Sequence, residues 1–131
     1  MAVVLDTRFF VAHTFPPSGD DQTRLNRFVA RISGDQMYAS SISVTEFLKV
    51  AGPRIGKEGA KARMRAWTSN GLQIAPVDEE VAFSAGELAI AFREIPLGDT
   101  LIGATAQLLK APVASDDPDF RKLGVKTIWY R

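Results

Sequence analysis

Four carboxylates stand where short apolar runs give way to polar sequence: Asp6 directly after "VVL", Glu46 in the opening turn after "QMYAS", Asp99 after "IPLG", and Asp117 just past "PVAS". If those runs are neighbouring strands or lead into one edge of a sheet, the four groups gather there. Carboxylates so gathered repel one another, and at least one pKa rises, unless a cation neutralises them. Oxygen donors suit hard divalent cations, and magnesium typically takes one or two carboxylates directly while keeping water at its other positions. A magnesium or manganese ion held this way activates water and stabilises the charge that builds on a phosphodiester during in-line displacement. The pattern therefore points to metal-assisted phosphodiester hydrolysis.

Each acid also has a plainer reading. Acids at helix N-termini accept free backbone N–H groups and face the positive end of the dipole, which accounts for Asp6 or Asp99 taken singly. "SVTE", from Ser43 to Glu46, matches a capping box in which the glutamate bonds back to the Ser43 backbone. "DDPD" is rich in turn formers, so Asp117 can equally open a turn. Capping does not predict convergence, so the placement of the elements decides.

Those elements alternate. Val3 to Leu5 form a continuous apolar run, as expected for a strand covered on both faces. A helix through Phe9, Phe10 and Val11 follows, until "FPPSGDD" makes a loop. From Asp21 to Ile32, the spacing of Leu25, Phe28, Val29 and Ile32 predicts an amphipathic helix that Gly34 can end. "QMYAS" reads as a strand, and "SISVTEFLKVAG" as a helix burying Val44, Phe47, Leu48 and Ala51, broken by Gly52 and Pro53. A basic helix from Lys57 to Ser69 stops at Asn70 and Gly71, before the strand "LQIAPV". Then come a helix from Glu79 to about Arg93, a turn at "IPLGD", a helix from Thr100 to Lys110, and strands at "APVAS" and "KTIWY". The alternation predicts a three-layer α/β/α fold with a mainly parallel central sheet of about five strands, whose ligands bind outside the carboxyl ends of the strands.

The bulk properties agree. A chain of 131 residues, 46% hydrophobic and 24% charged, is expected to be one domain, 1–131, around a single core. Cysteine is absent, which excludes disulfides, a thiolate nucleophile and a zinc–cysteine site. No run approaches the roughly 18 apolar residues of a membrane span, and no basic segment leads into one at the start, so a cytoplasmic protein is expected. A net charge of +1 does not by itself announce a nucleic-acid binder.

Across essentially the whole chain the sequence resembles the PIN-domain ribonucleases, and among them the VapC toxins of toxin–antitoxin pairs. The resemblance is carried by "VLDT" at Val4 to Thr7, "SISVTEFL" at Ser41 to Leu48, "GDTLIGATA" at Gly98 to Ala106 and "ASDDPDF" at Ala114 to Phe120, in that order and spacing. It implies Asp6 and Asp99 as the principal ligands of Mg2+ or Mn2+, with Glu46 and Asp117 completing the acidic pocket, partly through bound water. Asp117 rather than Asp116 matches, three residues before Phe120, and the Ser115 hydroxyl would orient the pocket from behind. The resemblance further implies endonucleolytic hydrolysis of RNA by activated water, leaving a 5′-phosphate and a 3′-hydroxyl. It implies two protein partners: a second copy of the chain, as a homodimer, and a VapB-like antitoxin whose C-terminal segment lies in a groove near the third and fourth helices. An antitoxin arginine or lysine among the acids would compete with the metal. Arg8, Thr100 and Gly103 depart from the commonest pattern, but none replaces an acid.

Other features divide between binding and structure. Lys57, Lys61 and Arg65 recur at i, i+4, i+8, with Arg54 just before, a stripe that can track RNA phosphates or simply form a solvated helix face. Arg8 can approach the scissile phosphate or pair with a nearby carboxylate. "GPRIGKE" lacks the spacing and the hydroxyl of a phosphate-binding loop. His13 reads as a packing or surface residue rather than a base. Phe9, Phe10, Phe47, Leu48 and Trp67 read mostly as core, with some left to serve as an interface. Three further functions compete: an RNA-processing PIN nuclease without an antitoxin, a PIN scaffold that binds RNA without cutting, and a phosphoacceptor receiver domain, whose paired acids after the first strand are missing here.

Overall fold

A computed structural model describes the whole chain, residues 1–131. Five strands, β1 (Ala2–Leu5), β2 (Gln36–Ser40), β3 (Gln73–Ala75), β4 (Val113–Ala114) and β5 (Thr127–Ile128), form one sheet in the order β3-β2-β1-β4-β5. Every pairing is parallel. Seven helices connect and cover it: α1 (Thr7–Thr14), α2 (Gly19–Ile32), α3 (Ser41–Ile55), α4 (Lys57–Ser69), α5 (Glu79–Ala91), α6 (Leu97–Leu109) and α7 (Asp119–Lys122).

Successive residues of β1 enter opposite layers, as the pleat requires. Val3 and Leu5 join the larger core with Phe9, Phe10, Phe28 and Phe47, whereas Val4 joins Ile102, Val113 and Phe120 on the other face. That division explains why "VVL" is apolar at every position rather than alternating. From β1 the sheet grows one way through β2 and β3, then the chain returns to lay β4 on the other side of β1. The reversal opens a crevice at the carboxyl ends of β1 and β4, the place where open α/β sheets bind ligands. A receiver domain has the strand order 2-1-3-4-5, so the observed order overturns that alternative.

Several boundaries differ from expectation. Helix α3 is not broken at Gly52 and Pro53 but runs to Ile55. Proline's fixed φ suits helical backbone, and what Pro53 removes is a single helical bond, the one to the Lys49 carbonyl. The stop is Gly56, at φ 81°, whose N–H reaches the Gly52 carbonyl at 2.8 Å. Helix α6 begins at Leu97 rather than Thr100, because the Pro96 carbonyl accepts from the N–H groups of Asp99 and Thr100. Helix α2 starts at Gly19, after Ser18 caps the Asp21 N–H. The short α7 is not apparent from periodicity, and only Thr127 and Ile128 of "KTIWY" pair with the sheet.

Two of the unusual residues have packing reasons. A methyl group on Gly103 would come within 2.9 Å of Leu123 Cδ1, so α6 and α7 approach through that gap. The buried Thr100 hydroxyl donates to the Leu97 carbonyl at 2.8 Å. Phe9, Phe10 and Phe47 are fully buried, and Leu48 and Trp67 pack half-buried against them. The large apolar groups left in solvent lie elsewhere, at Phe83 (68% exposed) and Ile90 (74%) of α5 and Leu97 (70%) of α6.

Candidate metal centre

The parallel register Leu5↔Ala114 sets Asp6 beside Ser115 at the crevice. Asp6 does two jobs at once. Its Oδ1 accepts the Thr7 N–H at 2.8 Å, capping α1, and its Oδ2 accepts the Ser115 hydroxyl at 2.6 Å. That same hydroxyl accepts the Asp117 N–H at 3.1 Å, so one buried serine ties the end of β1 to the turn after β4. Asp117 in turn accepts the Asp119 N–H at 3.0 Å, the local bond expected of an acid opening a turn.

Glu46 is not part of a capping box. Helix α3 starts at Ser41 with Ser40 as its cap, which leaves Glu46 in the second turn rather than the opening one, and the buried Ser43 hydroxyl has no partner. Glu46 Oε1 instead accepts the Thr7 hydroxyl at 2.6 Å. A Cβ on Gly98 would stand 2.6 Å from Glu46 Oε2, so the glutamate reaches the crevice only because residue 98 has no side chain. Asp99, one residue on, caps nothing, since no side chain closes the N-terminus of α6.

Oxygens of Asp99, Asp117 and Asp119 lie within 4.8 Å of one another. Ligand oxygens at about 2.1 Å from a magnesium ion stand up to about 4.2 Å apart, so this trio needs little adjustment to share one cation. An all-carboxylate donor set suits magnesium or manganese rather than a soft metal. Asp119 was missed in the sequence, where only its neighbour matched the quoted motif; the signal was "DPD", two acids two residues apart across a turn.

Electrostatics mark the same groups. Burial, and after it the charges of Asp117, Asp6, Asp119 and Glu46, push the Asp99 carboxyl up to about 7. Burial likewise raises Asp6 to about 6, against the opposing hydrogen bonds from Ser115 and Thr7 and with help from the charges of Asp117 and Glu46. Acids this crowded hold protons near neutrality unless a cation takes their place.

Arg8 pairs with Asp116 at 2.9 Å and stands 3.9 Å from Asp117, with its side chain half-exposed. Of the basic stripe, Lys61 pairs with Glu58, and Arg54 lies over the Phe15 ring with its Cζ 3.6 Å from the centroid. Lys57 and Arg65 line neither the concavity beside Arg8 and Asp116 nor the one beside Ser115 and Asp117. His13 packs against Trp67 and Phe9 about two turns along α1 from Asp6, and burial lowers its pKa.

A family model described as PIN domain matches residues 3–126. Comparison with curated protein sequences yields no match. Among solved structures, VapBC2 from Rickettsia felis, bound to a promoter DNA fragment, superposes with a TM-score of 0.80 at 18% identity, over 98% of both chains. DNA-bound VapBC from Salmonella typhimurium gives 0.80 at 15% identity, over 100% of this chain and 99% of that one. Mycobacterium tuberculosis VapC20, a Sarcin-Ricin loop cleaving toxin, gives 0.77 at 18% identity, over 94% and 95%. These likenesses concern the fold, and with the family match over nearly the whole length they lead to one conclusion: the chain belongs to the PIN domain family.

Proposed function

We propose that this chain is a divalent-metal-dependent endoribonuclease and the toxin of a toxin–antitoxin pair. The observation that carries the reading is the gathering of Asp6, Glu46, Asp99, Asp117 and Asp119 at one crevice, with Asp99 pushed up to about 7 by burial and by its neighbours. Asp99, Asp117 and Asp119 are the groups to hold Mg2+ or Mn2+. Asp6 is kept beside them by Ser115 and the Thr7 N–H, and Glu46 is held by the Thr7 hydroxyl. Bound there, the ion would supply an activated water and offset the charge growing on a phosphodiester. Likeness to a toxin that cleaves the Sarcin-Ricin loop supports RNA as the substrate.

The toxin–antitoxin complexes among the structural neighbours support a VapB-like antitoxin as the partner. A basic side chain from it, set among the acids, would replace the cation and silence cleavage. For the second copy of the chain we assign the apolar surface of Phe83 and Ile90, which line one concavity on α5; sedimentation of the purified chain reads its mass directly.

The test is a labelled single-stranded RNA with manganese, magnesium or EDTA. Cutting in either metal, abolished by EDTA, is the expected result. If varied RNAs survive intact while manganese still binds, the chain is a binding scaffold. Gly98→Ala probes the site more finely. The new methyl displaces the Glu46 carboxylate, and cleavage is expected to fall about 10- to 100-fold. The unfolding midpoint should hold or rise, because alanine suits helical backbone better than glycine. A variant as active as wild type would show that Glu46 need not stand where it does.

A further inference from the structure

A groove of 420 Å³ runs along α1 beside the acids. Thr7, Arg8 and Asp116 line it where α1 begins, Phe15 where α1 ends, and Val50 of α3 and Trp129 also form its walls. It adjoins the crevice, since Thr7, on its wall, holds Glu46 and Arg8, also on its wall, stands 3.9 Å from Asp117. Its walls combine aromatic and aliphatic surface with guanidinium groups. Arg8 and Arg131 line it, and Arg54 lies over the Phe15 ring. Arg54 has no ion-pair partner, and Arg8 and Arg131, each spent on one acidic region, are half-exposed.

We propose that this groove carries an unpaired stretch of the RNA substrate away from the acids, with phosphates beside Arg8, Arg54 and Arg131 and bases against Phe15 and Trp129. The inference rests on the nuclease reading above. Unpaired strands are bound by a cationic track together with aromatic surfaces that meet the faces of the bases. A duplex turns its bases inward and is recognised through phosphates and 2′-hydroxyls, so it gains nothing from an apolar wall. Adjacency to the acid crevice adds a direction: a strand lying in the groove reaches Thr7 and Arg8 just where the carboxylates begin.

Val50 gives the test, because it lines the groove and is 44% exposed, so a charged side chain there can reach solvent. Affinity for a fluorescein-labelled oligouridine is measured in EDTA, so that nothing is cut. Val50→Lys is expected to tighten binding about 3-fold and Val50→Glu to weaken it about 10-fold. Arg54→Ala should reduce the slope of log K against log salt by about 0.7, one phosphate contact of a single strand. In cleavage assays it should raise KM while kcat holds. Equal effects of the two Val50 variants, an unchanged salt slope, or equally tight binding of a matched duplex would each overturn the proposal. So would Val50 variants that alter binding of an antitoxin segment but not of RNA, which would make this a protein-docking groove. Failure of the nuclease reading looks different: the Val50 and Arg54 variants then shift oligouridine affinity as stated, but wild type cuts no RNA in manganese.

Discussion

Asp99→Asn will abolish most RNA cleavage and, in the same protein freed of metal, raise the unfolding midpoint at neutral pH. Both effects have one cause. The Asp99 carboxylate lies among Asp117, Asp6, Asp119 and Glu46, is partly buried, and forms no cap on α6. In the metal-free fold its charge is a liability, and asparagine removes the charge while keeping the shape. Taken whole, the rise from 3.8 to about 7 would correspond to about 4 kcal/mol. The group is half-exposed, so solvent screening reduces this to about 1 to 2 kcal/mol, a few degrees in midpoint. For cleavage, on the proposed reading, the same charge would be an asset, because it would help hold a cation whose contribution to the transition state is worth several kcal/mol. The initial rate in saturating manganese should fall about 100-fold or more. Rates and thermal midpoints in EDTA are read on the same preparation. A variant that is less stable as well as less active would mean that the carboxylate has a structural partner, and a variant of full activity would remove Asp99 from the site.

Such opposed effects also explain which parts of the molecule were legible in the sequence. The strand at "VVL" was, because burial on both faces leaves an apolar run ending abruptly at Asp6. So was the core of α1 and α3, where Phe9, Phe10 and Phe47 follow helical spacing. Glu46 was found through its motif, but its surroundings were not. "SVTE" suggested a bond to Ser43, whereas the real partners, Thr7 and the space over Gly98, lie 39 and 52 positions away in the chain. The separations follow from the numbering, and no local pattern contains them. Asp119 was hidden for the opposite reason. It stands so close to Asp117 in "DPD" that turn formation accounted for both, and only the fold shows that the turn aims the pair at Asp99. Pro53 misled because one proline removes only one helical bond, and α3 continues past it to Ile55, where Gly56 ends it.

The metal-free protein should lose stability as pH rises from about 4 to about 7, the reverse of ordinary acid denaturation. Asp6 and Asp99 have folded-state pKa values of about 6 and about 7, against 3.8 for an unperturbed aspartate. Between those limits the folded chain holds more protons than the unfolded chain, so the stability slope with pH is negative. The contribution is fully present below pH 3.8 and is lost once pH passes the folded values. For the deeply buried Asp6, about two pH units correspond to a loss on the order of 3 kcal/mol, with a smaller, screened addition from Asp99. His13, whose pKa burial lowers from 6.5, opposes part of the decline below that pH, whereas Asp21 does not disturb the window. The Ser18 and Tyr130 hydroxyls and Arg131 hold its pKa low, so its stabilisation fades only below pH 3.8. Manganese should cancel the decline, since ionised acids are then paired with a cation and metal binding displaces the protons. Urea midpoints from about pH 4 to about pH 8, in EDTA and in excess manganese, compare the two states. Parallel curves would mean that the acids and the metal do not meet. Curves that separate above about pH 6 would place the cation beside Asp6 and Asp99 by a measurement that needs no RNA at all.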